Sequence, residues 1–318
     1  MPVMNQRNDI HVVIVNFRSA THVQNCIRSL ADSPICSIVV VDNNSGPRHL
    51  GELRMRTAEF ANVSIISNPV NRGFGHGVNV GAASIELQFS DRLWVLNPDT
   101  IVRPGCAEAL LQATKSGLDI VSPLITKGDP TKEMIWFAGG DVDLRTMTTP
   151  HYHHGDSIAT ADELPTVLHS RFLTGTAPFF TSEAWHRLGG FREDLFMYWE
   201  DADLSVRAQT LRLRMAVVTR ARVWHAVGAT SGESGLSPLY YRHMQRNRIR
   251  LAREWGVTRT VFIGPGVRQT AKLLVDPLLE PRNKIRSAWS SFRGLLSGIS
   301  TAHKENTMTI HPNAGLSD

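Results

Sequence analysis

His11-Val-Val-Ile-Val-Asn-Phe17 is a continuous apolar run with one polar residue near its end. That is the composition of a strand buried on both faces of a parallel sheet. A helical rhythm follows over residues 19–31 (Val23, Ile27, Leu30), and Ser37-Ile-Val-Val-Val-Asp42 repeats the buried-strand pattern. A helix over 49–61 precedes a strand at 63–66, a glycine-rich turn leads into a helix over 77–87, and Arg92-Leu-Trp-Val-Leu-Asn97 reads as a fourth strand. Four alternations of strand and helix predict an α/β fold whose mostly parallel sheet is flanked by helices.

In such sheets ligands bind beyond the carboxyl ends of the strands. Asn16, Asp42, Asn68 and Asp99 all fall at or just past those ends. The stretch 141–169 carries four histidines, two prolines and little periodicity, and reads as a long loop or hairpin insertion with no function assigned to its histidines. Order returns with helices over 182–188 and 200–210, a strand over 215–219, and helices over 239–255 and 281–300.

The 318 residues are 42% hydrophobic and 20% charged, which excludes a disordered or fibrous chain. No stretch approaches the roughly 18 apolar residues a membrane helix needs, and the first residues lack the apolar core of a signal peptide. Three cysteines, Cys26, Cys36 and Cys106, lack metal-ligand spacing and read as buried thiols of a reducing compartment. The expected location is cytoplasmic. The formal charge of +5 is uneven: residues 241–300 hold twelve Lys/Arg against three Asp/Glu, a net +9, while residues 1–240 are close to neutral. Clustered positive charge suits phosphates or an anionic lipid surface. No series of stacking aromatics accompanies it, so a nucleic-acid partner is not expected.

Four motifs carry candidate chemistry. Asp42, in Val39-Val-Val-Asp-Asn-Asn-Ser-Gly46, is a strand-end carboxylate suited to a ribose or nucleobase, or to capping its own turn with Asn43, Asn44 and Ser45. Gly73, Gly75 and Gly77 free backbone amides before a helix, where anions are attracted. A dinucleotide fingerprint fails here, because Val80 stands where the last glycine belongs and the preceding strand is the third, not the first. Asp99, in Trp94-Val-Leu-Asn-Pro-Asp-Thr100, has the oxygen chemistry to hold Mg²⁺ or Mn²⁺ against a diphosphate, while Asn-Pro-Asp is equally a β-turn sequence. Phe196-Met-Tyr-Trp-Glu-Asp-Ala-Asp-Leu-Ser-Val-Arg207 opens a helix with three carboxylates in four positions. Asp203 and Arg207 have the i,i+4 spacing of a pair, which leaves Glu200 and Asp201 as crowded carboxylates fit for general-base work or as the charge decoration of a capped helix start.

In this order the motifs resemble family 2 glycosyltransferases of the GT-A fold, in particular the rhamnosyltransferase-like branch, over roughly residues 10–250. The resemblance implies a donor pocket formed by Asn16, Asp42, Asn44, Asn71, Arg72, Gly73, Asn79 and Asp99. It implies an acceptor side with Gly175, Trp199 and Glu200, Asp201 as catalytic base, and a divalent cation, Mg²⁺ or Mn²⁺, on Asp99 and His225. Arg246-Asn247 corresponds to a late Arg-Asn element of undefined role. The first position of the D-x-D motif is Asn97 here, so the motif's metal ligation falls to Asp99 alone.

The activity so implied is inverting transfer of a sugar, rhamnose from dTDP-rhamnose, to a hydroxyl of a lipid-linked saccharide in cell-wall or surface polysaccharide synthesis. The rival readings are a non-catalytic nucleotide-binding protein and a nucleotidyltransferase. The latter would want a basic glycine-rich loop after the first strand, where Asn16-Phe-Arg-Ser-Ala has no glycine. The expected organisation is a GT-A domain over 1–256, with a donor half to about 125 and an acceptor half after it, then a basic amphipathic helical extension and tail over 257–318. Ile285, Trp289, Phe292, Leu296 and Ile299 draw one apolar stripe along that extension. The stripe would lie on the inner face of the plasma membrane, pack on the catalytic domain, or form a homodimer contact.

Overall fold

The computed structural model describes residues 9–129, 131–226 and 235–300. These fall into two compact units. The first holds the described residues to Asp141, His151–Phe196, and those from Glu200 through the end of the last strand. The second holds Val142–Pro150, Met197–Trp199 and the described residues from Gly235 onward. The sequence reading drew its boundary at 256, whereas the helix over 238–254 falls with the C-terminal helices.

The first unit is built on one sheet. Its strands are β1 (Ile10–Asn16), β2 (Ile35–Asp42), β3 (Val63–Ser67), β4 (Arg92–Leu96), β5 (Thr100–Val102), β6 (Ile120–Lys127), β7 (Met134–Phe137), β8 (Val167–His169), β9 (Phe179–Thr181) and β10 (Met215–His225). They order as β3-β2-β1-β4-β9-β6-β10-β5, with β7 beside β6 and β8 beside β10. The β3-β2-β1-β4 half is parallel, β9 joins β4 to β6 antiparallel, and β10 runs parallel to β6. The expected mixed, mostly parallel sheet is present. Val12, Val13 and Ile14 are fully buried on successive faces of β1, which explains why that run needs no polar alternation.

Helices α1 (Ala20–Arg28), α2 (Pro47–Thr57), α3 (Phe74–Ala83) and α4 (Cys106–Lys115) supply the crossovers, and α5 (Ser182–Leu188) and α6 (Glu200–Thr210) follow the sheet's antiparallel strand. The stretch 141–169 is more ordered than its composition indicated. It contains a 3-10 turn at Ile158–Glu163 and ends in β8, which pairs antiparallel with β10. His151 is half-buried there, its ring against Trp136, Phe137 and Phe172, so it is not the solvated residue expected.

In the second unit, α7 (Pro238–Glu254) carries the core, with α8 (Thr258–Phe262), α9 (Val267–Val275) and α10 (Lys284–Ser300) around it. Arg248 is 1% exposed and donates to the carbonyls of Met147, Thr146 and Gly266 at 2.7, 2.8 and 2.7 Å, and to Thr270 Oγ1 at 2.7 Å. Burial lowers its pKa to about 10, so the guanidinium stays charged at neutral pH and its solvation is replaced by fixed oxygens. That requirement explains why 142–150 belongs to this unit.

The seating of α3 on the sheet yields a test. A Cβ at Gly81 would meet Val13 Cγ1 at 2.6 Å and Val41 Cγ2 at 3.0 Å, both in central strands. Helix propensity favours Gly81→Ala by roughly 1 kcal/mol, while forcing a methyl into a packed interface costs about 1–3 kcal/mol. The expected net result is a lower thermal midpoint. A raised midpoint would show that helix and sheet are not in contact at this point.

Candidate active site

The carboxyl ends of β1, β2 and β3 are tied by a buried polar network. Asn16 Nδ2 donates to Asp42 Oδ1 at 2.7 Å, and Ser45 N donates to Asp42 Oδ2 at 3.0 Å. Asn16 Oδ1 in turn accepts from Ser19 N, and Ser45 Oγ accepts from Arg18 N. Asp42 is 1% exposed. Both its oxygens serve the loops here, which is the turn-capping alternative in its fullest form, while Asn44 stands exposed in the left-handed region at φ 59°.

Beside it, Asn43 Nδ2 donates to Gly73 O, Asn68 Nδ2 donates to Asn43 Oδ1, and Asn71 Oδ1 accepts from Gly73 N. Gly73 has φ 94°, and a Cβ there would lie 2.0 Å from Phe196 O, so this position admits no side chain. Asn79 is fully engaged with the chain: it donates to Phe191 O and Glu193 and accepts from Phe191 N. Glu193 also binds His76 at 2.8 Å and Arg72 at 3.3 Å. The structure therefore gathers Asn16, Asp42, Asn71, Arg72, Gly73 and Asn79 along one edge, with Asp42 and Asn79 serving architecture there.

Asp99 follows the end of β4, the strand beside β1, and the antiparallel pairing of β5 with β10 sets His225 opposite Thr100. His225 Nε2 and Asp99 Oδ1 are 3.2 Å apart, with both side chains under 10% exposed. Burial alone would raise the Asp99 carboxyl, but the hydrogen bond and charge of His225, with lesser help from His22, hold it below the ordinary carboxylate range. A cavity of about 290 Å³ opens beside Asp99, lined by His22, Asn25, Pro98, Thr100, Ile101, Trp224 and Ala226.

The donor set fits a divalent cation. A carboxylate oxygen and an imidazole nitrogen together suit Mn²⁺, and the carboxylate suits Mg²⁺. Among the described residues no group of three His, Cys, Asp or Glu could hold a metal ion. A cation on Asp99 and His225 would take its remaining ligands from phosphate and water, the usual situation for Mg²⁺. Asn97 contributes backbone bonds only, donating to Thr176 O and accepting from Thr100 Oγ1.

Sequence reading passed over His22, Asn25 and Trp136, whose ring meets His225 at 5.1 Å. His22 and Asn25 line the cavity beside Asp99, the hairpin formed by β6 and β7 carries Trp136 to His225, and no local pattern marks either.

At the start of α6, Arg207 Nε holds Asp203 Oδ2 at 2.8 Å, the expected i,i+4 pair, and Arg192 adds a second cation at 3.4 Å. Glu200 and Asp201 are left free of them. Asp201 Oδ2 accepts from Gly175 N at 3.1 Å and Oδ1 from Ala202 N at 2.8 Å, so two backbone amides fix its orientation. Burial raises Asp201 above the usual range against those two bonds. Glu200 is pushed up to about 8 by burial and then by the charge of Asp201, and its Oε2 is buried without a hydrogen-bond partner in the described structure. At neutral pH Glu200 thus keeps its proton beside Asp201.

Phe196, Tyr198 and Trp199 precede the pair with φ of 67°, 64° and 72°, a strained run for non-glycine residues. Within the second unit, Asn247 is fully buried and its Nδ2 donates to the carbonyls of Met197 and Tyr198 at 2.9 and 2.8 Å, which gives the Arg-Asn element a concrete task. Trp199 is in the same unit, its indole donating to Met244 Sδ at 3.0 Å.

Comparison with known proteins follows the same lines. Residues 11–181 match the family described as glycosyl transferase family 2. N-acetylglucosaminyl-diphospho-decaprenol L-rhamnosyltransferase of Mycobacterium tuberculosis is 26% identical over 253 residues, 73% of this chain and 80% of its own. The low-salt glycan biosynthesis hexosyltransferase Agl10 of Haloferax volcanii is 25% identical over 210 residues, 64% of this chain and 62% of its own. Among solved structures, GalNAc-T7 with UDP, GalNAc and Mn²⁺ superposes with TM-score 0.60 at 18% identity, covering 79% of this chain and 48% of that one. The mannosyltransferase PcManGT of Pyrobaculum calidifontis, with GDP-Man and Mn²⁺, gives 0.52 at 13% identity, covering 94% and 77%. At those identities the structures speak for the fold alone, and it is the GT-A fold.

The carboxylate pair predicts a pH signature. The unfolded chain ionises Glu200 near pH ~4.3, the folded chain near 8. Between those values the folded state retains a proton that the unfolded state has lost, so stability falls as pH rises. Glu200→Gln mimics the neutral form and should flatten that fall, gaining thermal midpoint over the parent as pH approaches 8. Parallel curves for the two proteins would show Glu200 to be ionised in the fold.

Proposed function

The chain belongs to glycosyl transferase family 2, and from that premise we propose that it moves rhamnose from dTDP-rhamnose to a hydroxyl of a lipid-linked saccharide with inversion at the anomeric carbon. The sugar and the acceptor are supported by the resemblance to the mycobacterial rhamnosyltransferase, whose name carries a decaprenyl-diphosphate acceptor. The single observation that carries the chemistry is Asp201: a carboxylate raised by burial, aimed by the amides of Gly175 and Ala202, and flanked by a Glu200 that is neutral at pH 7.

Asp201 takes the proton from the acceptor hydroxyl as its oxygen attacks the anomeric carbon. The bond from that carbon to the diphosphate oxygen breaks, and its electron pair departs on the nucleoside diphosphate. No acid need protonate this leaving group, so one base suffices, unlike a glycoside hydrolase with its two carboxylates. Asp99 and His225 would hold a divalent cation, Mg²⁺ or Mn²⁺, which supplies charge neutralisation to the diphosphate when bound. The polar edge from Asn16 to Asn79 shapes the nucleotide side, with Gly73 packed against Phe196 O to hold its turn. With a lipid-linked acceptor, the reaction runs at a membrane surface. Family membership sets aside the nucleotidyltransferase and non-catalytic readings.

Two measurements test this. Asp201→Asn should keep stabilisation by dTDP-rhamnose while kcat falls about 10²–10⁴-fold. Near-normal turnover would remove Asp201 from the role of base, and greater stabilisation by UDP- or GDP-sugars would change the donor. Asp99→Asn should weaken nucleoside diphosphate binding roughly tenfold or more in Mn²⁺ and little in EDTA. Equal weakening in both media would mark Asp99 as a structural turn.

A further inference from the structure

The apolar stripe of α10 faces outward. Ser287, Ser291, Gly294 and Gly298 are the buried residues of this helix. A Cβ at Gly294 would lie 2.3 Å from Arg242 O, and one at Gly298 2.7 Å from Arg246 O, so the small face is seated on α7 with no room for larger side chains. Ile285, Trp289, Phe292, Leu296 and Ile299 are 84, 58, 42, 49 and 43% exposed. At 3.6 residues per turn they share an arc of about 80°, opposite the small face. Trp289 and Phe292 sit ring to ring at 5.8 Å on it. On the adjoining 3-10 turn Asp276–Leu279, Leu278 and Leu279 are also exposed.

The charges complete the pattern. Lys284 lies on one flank of the stripe and Arg286 and Arg293 on the other, all exposed, and Pro281–Ser300 contains no Asp or Glu. This is inverted amphipathicity for a helix of a closed globular protein, which turns its bulky apolar residues inward. It is the arrangement of a helix lying in the plane of a membrane interface.

We propose that this face of α10 docks the enzyme on a membrane surface bearing anionic lipid, the five apolar side chains entering the acyl boundary and the flanking cations meeting headgroup phosphates. A second copy of the chain is the rival occupant. Packing two such faces together would bring Lys284, Arg286 and Arg293 of both copies into one interface with no acidic residue on either helix to oppose them. An anionic bilayer supplies the missing charge. The inference rests on the helix alone and is independent of the donor, the acceptor and the catalytic base.

Co-sedimentation of the full chain, without donor or acceptor, tests it on vesicles of phosphatidylcholine alone and with phosphatidylglycerol mixed in. The expected result is pelleting on the anionic vesicles only, reversed by high salt. Each charge removed among Lys284, Arg286 and Arg293 should weaken partition roughly fivefold. The double change Trp289→Ser with Phe292→Ser should release the protein at low salt while its thermal midpoint stays at the parent value. On the unaltered surface, anionic vesicles should blue-shift a tryptophan emission component that Trp289→Phe removes. Equal pelleting on both lipids, or pelleting undiminished in either variant, would overturn the proposal. So would failure to pellet together with a concentration-dependent dimer abolished by the double change, which would assign the face to a second copy.

Discussion

Asp42 can be buried only because every oxygen it carries has a donor. The same demand runs along the carboxyl edge of the parallel strands, where loops must leave the sheet carrying polar groups that water no longer reaches. Asn16 and Ser45 satisfy Asp42, Asn43 reaches Gly73, and Asn68 reaches Asn43. Phe74 N closes the chain of contacts on Phe196 O at 2.8 Å, and Asn79 clamps Phe191 from both sides. One network of side-chain and backbone hydrogen bonds therefore positions the rim from β1 to Phe196, just before α6.

Much of this was legible in the sequence because it is local. Buried parallel strands declare themselves by unbroken apolar runs, and β1, β2, β3 and β4 lie within a residue or two of their expected positions. The Asp203–Arg207 pair followed from helical spacing. The parts that were not legible depend on pairings across long separations. The strand expected over 215–219 extends through His225, and only antiparallel pairing with β5 brings that residue to Asp99. Ring contacts of His151 arise from the meeting of β7 with residue 172, not from any periodicity. Periodicity revealed the stripe on α10 but not its direction. That was decided by Gly294 and Gly298, whose small size lets the opposite face approach α7.

Burial of Glu200 beside Asp201 has a thermodynamic cost that packing and the amides of Gly175 and Ala202 offset only in part. Perturbed carboxylates of this kind concentrate at sites of chemistry, where an acid of ordinary pKa would be a weaker base. The left-handed backbone at Phe196, Tyr198 and Trp199 adds strain of about 1–3 kcal/mol for each residue. Both features sit within six consecutive positions, so this short segment concentrates much of the instability that the surrounding structure must absorb.

The two units share the chain by interruption, and that bears on how the protein comes into being. Arg248 requires carbonyls 101 and 102 residues earlier, and Asn247 requires carbonyls 49 and 50 residues earlier. A ribosome adding about 5–20 residues per second leaves the earlier of those segments without its partners for several seconds or more. The sheet can close during that interval while residues 142–150 and 197–199 wait. Completion of the second unit is thus a late event of biogenesis, reached after α7 has been made, and a nascent or prematurely ended chain would own the sheet while the carbonyls of Thr146, Met147, Met197 and Tyr198 still lacked these donors.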